Sequence, residues 1–179
     1  MRRRLERWEL IGFGLTCLLG TAGHFLYDLS GGSPLAAAVS AVNESTWEHM
    51  KLLYLPWFLY LLIECFSLAR ELENFLAAKA LGALAGLLAI PTLFYTLSGS
   101  LGKLPDAVNI GIFFVSAAAA YLVSCTAMKR GWLGGAILQG AGFLLLWGLL
   151  FLFVRWSFAP PHLPLFQDPL TLGYGVVAS

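Results

Sequence analysis

The sequence predicts an all-α, polytopic membrane protein whose core is a bundle of five transmembrane helices. Hydrophobic residues make up 59% of the 179 positions and charged residues only 12%, whereas soluble domains carry about 25% charged residues. The chain also contains apolar runs of about the 20 residues that a helix needs to cross a bilayer. There are five such runs, at 8–29, 50–68, 75–97, 107–127 and 133–156.

The runs follow one another closely, which is typical of a single compact bundle and predicts one transmembrane domain over residues 1–156. Between the first two runs, residues 33–39 predict a short interfacial helix, because Ser33 can cap it and Pro34 suits its first position. Residues 157–179 contain four prolines and cannot form one long helix. Their apolar side chains predict a tail packed on the mouth of the bundle.

Charge and cysteine content exclude several classes of function. The formal net charge is +1, so the chain has no basic field that would attract nucleic acid. The three cysteines show no CxxC spacing, which disfavours a disulfide framework or a zinc–thiolate site. The apolar composition predicts the lipid bilayer as a partner. The sequence does not predict the oligomeric state.

Basic residues predict the orientation of the bundle, since cytoplasmic loops are enriched in Lys and Arg. With the N-terminus inside and five crossings, the C-terminus lies outside. The inner side then holds eight basic residues: Arg2, Arg3, Arg4, Arg7, Arg70, Lys79, Lys129 and Arg130. The outer side holds three: Lys51, Lys103 and Arg155. This topology places the chain's three histidines, His24, His49 and His162, on the outer face.

The stretch NESTWEHMKL at 43–52 concentrates polar residues in an otherwise apolar chain. Ser45 and Glu48 match a capping box, which predicts that Glu48 serves first as a helix cap. Trp47 is typical of an interfacial aromatic belt and Lys51 of a side chain that reaches outward to water. Capping and interface chemistry leave three polar residues unexplained, and we predict that these belong to a site: Asn43, Glu44 and His49.

His24 and Asp28 lie one helical turn apart and share a face. An ionisable residue below the end of a membrane helix is a candidate for function, but a structural hydrogen bond between the two residues is an equal alternative. In the tail, His162 stands between prolines and is a candidate ligand. Asp168 precedes Pro169, and we expect it to cap a turn.

Three histidines and several carboxylates on one face permit a divalent metal such as zinc. The predicted ligands are His24 and His49, with Glu44 or Asp28 as the third, while His162 would close the site from the tail. The remaining acid would orient a ligand or act as a base on water. Four further residues are predicted to line this pocket: Asn43, Glu48, Lys51 and Asp168.

These residues predict a metal-dependent membrane hydrolase that acts on a small molecule or a lipid at the outer face. The spacing is not that of the HExxH zinc motif, and other functions stay open. His24 and Asp28 could act as a metal-free acid–base pair. The same pocket could bind or transport a solute, or the polar cluster could dock another membrane protein.

The HFLYD segment at 24–28 and the VNESTWEHMKL segment at 42–52 resemble a family of small bacterial integral membrane proteins of unknown function. The resemblance extends over most of the chain, and the NESTWEH segment is its most specific part. It implies a multi-pass protein of the bacterial inner membrane. It implies no reaction, substrate or ligand.

Overall fold

A computed structural model describes residues 2–176, which form six α-helices and contain no β-strand. Five of these helices are long and apolar enough to cross a membrane, so the predicted all-α fold class is confirmed. The six helices are α1 (Arg2–Leu29), α2 (Pro34–Val39), α3 (Thr46–Leu68), α4 (Phe75–Leu101), α5 (Asp106–Arg130) and α6 (Ala136–Phe158).

Four of the long helices extend beyond the predicted apolar runs, whereas α6 starts three residues later than its run and ends two residues later. Local signals set the ends of the helices. α3 starts at Thr46, where the Ser45 hydroxyl accepts a hydrogen bond from the Glu48 amide and satisfies one of the free donors of the first turn. α5 ends where Gly131 adopts the left-handed conformation (φ 67°), which glycine adopts without steric penalty. α2 is a single short helix, and its Ser33 N-cap makes no side-chain cap bond, unlike the prediction.

α3 is the central helix of the bundle, because it contacts all five other helices. Its aromatic side chains form the middle of the core, and Tyr54 and Trp57 are almost completely buried. α4 and α5 approach closely at Gly82, where an added Cβ would lie 2.6 Å from the Ala120 carbonyl oxygen. The outer faces of α1, α4, α5 and α6 expose large apolar side chains, which suit contact with lipid.

Because the long helices alternate in direction, the bundle has two ends. We call the end where α1 begins the amino end, and the end where α1 stops and α3 begins the tail end. Residues 160–176 fold back over the tail end, and a 3₁₀ turn at Pro164–Phe166 inserts the Phe166 ring beside Trp47 and Trp156. The Val176 amide donates to the Ser157 carbonyl oxygen (3.0 Å). Trp47 does not present its ring to lipid as a residue of an aromatic belt would, because the tail and α6 bury the ring, which is 6% exposed.

Candidate functional site at the tail end

His24, Glu44 and His49 meet at the tail end of the bundle, and we call them the tail-end site. Glu44 lies between the two imidazoles, with Oε1 3.5 Å from His24 Nε2 and Oε2 3.6 Å from His49 Nε2. One ligand atom from each residue lies within 4.8 Å of the others. The side chains are 32%, 40% and 30% exposed, so a solute can reach them.

The His49 ring is oriented by the first turn of α3. Its Nδ1 lies 2.9 Å from the Ser45 carbonyl oxygen, and a carbonyl oxygen can only accept a hydrogen bond. Nδ1 therefore donates to this carbonyl oxygen, and Nε2 is the ring nitrogen that faces Glu44. A backbone carbonyl on the distal ring nitrogen is a common arrangement for histidines that bind metal through the other nitrogen.

Glu44 is held by the loop that precedes α3. The neighbouring Asn43 side chain accepts from the Ser45 amide (2.9 Å) and donates to the Gly175 carbonyl oxygen (3.1 Å). Asn43 thus ties the loop to α3 on one side and to the tail on the other. The predicted pocket residue Asn43 therefore fixes the loop that carries Glu44.

His24 and Asp28 do not form the predicted hydrogen bond. His24 Nδ1 is buried and has no hydrogen-bond partner among residues 2–176, whereas Asp28 is exposed one turn further along α1. His24 instead turns its other nitrogen toward Glu44. Asp28 is open to solvent at the tail end and does not orient His24.

Glu48 and Lys51 do not line an open pocket, because both are buried, at 2% and 0% exposed. Lys51 Nζ lies 2.6 Å from Glu48 Oε2 and donates to the Ala37 carbonyl oxygen (2.9 Å) and to Ser157 Oγ (2.5 Å). Its three N–H groups are therefore satisfied. We call Glu48, Lys51 and Ser157 the Lys51 clasp, since they join α2, α3 and α6.

The contacts of the Lys51 clasp contradict two predictions. Lys51 does not reach outward to water, because α2 and α6 cover the first turns of α3. The capping box is only half formed, because the Glu48 carboxylate accepts from the Val42 amide (3.1 Å), while Asn43 takes the Ser45 amide that the box assigns to Glu48. The carboxylate therefore helps to hold the loop that carries Glu44.

Two predicted residues of the tail lie outside the tail-end site. His162 is exposed and stacks on Tyr174, with ring centroids 4.6 Å apart, and it does not close the three-residue group. Asp168 caps a turn as predicted, because its carboxylate accepts from the Leu170 amide (2.9 Å) and from Thr171 Oγ1 (2.7 Å).

A second polar cluster was not predicted from the sequence. Near the amino end, Lys79 Nζ lies 2.5 Å from Glu9 Oε1 and 2.5 Å from Glu64 Oε2, and Ser124 Oγ donates to Glu9 Oε2 (2.5 Å). Glu9, Glu64 and Lys79, here named the amino-end triad, are 4%, 0% and 1% exposed. Lys79 is therefore a core residue and not part of an inner loop. The signal in the sequence was the position of each charge inside an apolar run, where a partner is required.

Five apolar helices with lipid-facing outer surfaces define the class of this molecule, a multi-pass membrane protein. Within that class the chain belongs to the DUF6512 family, a family of unknown function whose sequence profile matches residues 1–176. No curated protein and no solved structure matches the chain significantly.

Proposed function

We propose that this protein binds a divalent metal ion, best satisfied by zinc, at the tail-end site and hydrolyses a substrate there. The observation that carries the proposal is the convergence of His24, Glu44 and His49, from α1, the loop and α3, on one partly exposed point. Polar residues are rare in this chain, and these three come together from separate segments.

The donor set fits zinc. Two imidazole nitrogens and one carboxylate oxygen form a three-ligand set of the kind found in catalytic zinc sites, which keep a fourth position for water. Ligand atoms bound tetrahedrally at 2.0–2.1 Å lie roughly 3.3 Å apart. Glu44 Oε1 lies 3.5 Å from His24 Nε2, the other Glu44 oxygen lies 3.6 Å from His49 Nε2, and one ligand atom from each residue lies within 4.8 Å of the others, so a small contraction of the group would bring the three ligand atoms to this spacing. When bound, the metal would supply a water that is nucleophilic at neutral pH.

The protein's own residues then have distinct roles. Glu44 is assigned as a ligand and not as a base, because each of its oxygens already faces an imidazole. Asp28, exposed on α1 one turn beyond His24, is assigned as the group that accepts a proton from the attacking water. Asn43 supports the Glu44 loop, and His162 has no role in metal binding.

The distribution of basic residues supports an outward-facing site at the membrane surface. The amino end carries Arg70, Lys129, Arg130 and the arginines of the first turns of α1, whereas Lys103 and Arg155 are the accessible basic residues of the tail end. By the positive-inside rule, this distribution supports an amino end in the cytoplasm of a bacterial cell. Phe25 and Leu29 expose apolar surface near His24, which favours an amphiphilic substrate such as a lipid.

Metal analysis of the detergent-purified protein tests this proposal. We expect about one zinc per chain in the wild type, as three-ligand sites of this type hold one ion. His24→Ala and His49→Ala should each lose the metal, while the control His162→Ala should keep it. A wild type without bound metal after incubation with zinc or manganese would contradict the proposal. Hydrolysis of lipids by the zinc-loaded wild type, but not by His49→Ala, would establish the reaction.

A second candidate function is solute binding or transport through the same pocket. It is supported by the exposure of the tail-end side chains, at 32%, 40% and 30%. The buried amino-end triad at the other end of the bundle supports transport in particular, because ionisable groups within a membrane bundle commonly mark ion or proton pathways. Uptake by vesicles that contain only this protein would favour it. Hydrolysis without uptake would favour the enzyme.

A further inference from the structure

The amino-end triad has one more carboxylate than it has cations. Glu9 from α1 and Glu64 from α3 both contact the Lys79 ammonium from α4. Within residues 2–176, no other Lys or Arg pairs with either carboxylate. With all three groups ionised, the buried cluster would carry one uncompensated negative charge, which is strongly unfavourable away from water.

The two carboxylates differ in their hydrogen-bond partners. Both oxygens of Glu9 have donors, Lys79 on Oε1 and Ser124 on Oε2. Glu64 is completely buried, and its Oε1 has no hydrogen-bond or ion-pair partner among the described residues. An ionised oxygen in that position would be a buried charge without a partner, and protonation removes this charge. Glu64 is therefore the carboxylate of the triad whose charge is less well compensated.

The surroundings of Lys79 are aromatic rings and neutral polar groups, and among the described residues they supply no second cation. The Lys79 ammonium lies over the Trp57 ring (4.7 Å to the centroid) and near the Tyr121 ring (5.4 Å), and both faces favour a cation. The other groups that face the cluster are neutral in their ordinary states: Tyr60 on α3, and Tyr121, Ser124 and Cys125 on α5. The missing positive charge must come from outside the protein.

We propose that the amino-end triad is a proton-binding site, in which Glu9 and Glu64 share one proton at neutral pH with Glu64 as its resting position. This site is independent of the tail-end site, since Glu9 and His24 are 15 residues apart on α1, about 22 Å at 1.5 Å per residue. It adds to the protein an exchangeable proton at the amino end, next to the surface that we assign to the cytoplasm.

Infrared spectroscopy of the protein in lipid nanodiscs tests the proposal, because the C=O stretch of a protonated carboxylic acid is distinct from the bands of a carboxylate. We expect this band in the wild type at neutral pH. Glu64→Gln and Glu9→Gln should each abolish it, because either variant leaves one carboxylate to neutralise Lys79. The control Glu6→Gln, an exposed carboxylate on the same helix, should retain it. In Lys79→Met both carboxyls need a proton, and the band should increase about twofold.

Three outcomes would overturn the proposal. The first is a wild type without the band, which would mean that no proton is bound. The second is a band that persists in Glu9→Gln, which would mean that Glu64 is protonated without sharing. The third is a band that sodium ions remove in otherwise identical buffer, which would mean that the site takes an alkali cation instead. If Lys79→Met fails to fold, the two glutamine variants decide the question.

Discussion

The Asn43 side chain fixes the loop that carries Glu44, although Asn43 is not one of the three residues of the tail-end site. Its amide accepts from Ser45 and donates to Gly175, and it therefore joins the loop that carries Glu44 to the tail. Removing groups that support metal ligands typically weakens metal affinity 10–100-fold. Asn43→Ala should accordingly weaken zinc binding by about that factor in a competition titration.

Gln167→Ala is the matched control for Asn43→Ala, because it removes a side-chain amide that, among the described residues, bonds only within the tail, to the Leu172 carbonyl oxygen. It should leave zinc affinity unchanged. Equal affinities for Asn43→Ala and the wild type would show that the loop holds Glu44 without this residue.

Lys51 is the residue whose surroundings are least expected from the sequence. Lys51→Met would leave the Glu48 carboxylate buried without its cation, and breaking a buried pair in this way costs about 3–5 kcal/mol. We expect a loss of this size in the free energy of unfolding, measured by denaturant titration in detergent. Combining Lys51→Met with Glu48→Leu should restore part of it, because the double variant leaves no unpaired charge.

Lys129→Met provides the comparison for Lys51→Met, because Lys129 also pairs with a glutamate, Glu6, but at the surface. Its effect on unfolding should be small, since water screens exposed pairs. Equal losses in Lys51→Met and Lys129→Met would argue against a stabilising clasp.

The residues of the tail-end site could be predicted because polar residues are scarce in the apolar segments of this chain and helix capping does not account for these three. The contacts of Lys51 and Trp47 could not be predicted. Their sequence positions at the start of a membrane helix suit the interface equally well, and only the packing of α2, α6 and the tail over that turn buries them.

At the scale of helices, α6 packs on α4 through Gly142. An added Cβ there would lie 2.9 Å from the backbone of Ala77, so the two helices would have to separate. Gly142→Ala should therefore destabilise the bundle by about 1–3 kcal/mol, measured as the free energy of unfolding in detergent.

Gly140 lies on the same helix and has nothing within 4 Å of its added Cβ. Gly140→Ala should be neutral or slightly stabilising, because alanine has the higher helix propensity. If Gly142→Ala were as stable as Gly140→Ala, the close approach of α4 and α6 would not contribute to stability.

For the whole molecule, the orientation predicts which surfaces a membrane-impermeant thiol reagent can reach. In a variant whose three native cysteines are replaced by serine, a cysteine at the exposed tail position Leu170 should be labelled in intact cells. A cysteine at Glu73, in the exposed connection between α3 and α4 at the amino end, should be labelled only after lysis. The reverse pattern would place the tail-end site in the cytoplasm.

The sequence by itself determined that the chain is an all-helical membrane protein with five crossings, because hydrophobic length sets what can span a bilayer. It also singled out His24, Glu44 and His49. Only the tertiary structure decided that Glu44 lies between the two histidines while His162 stacks on Tyr174. It also brought Glu9, Glu64 and Lys79 into one buried triad. The reason is physical: hydrophobicity acts on each segment separately, whereas the pairing of charges depends on which helix faces become neighbours.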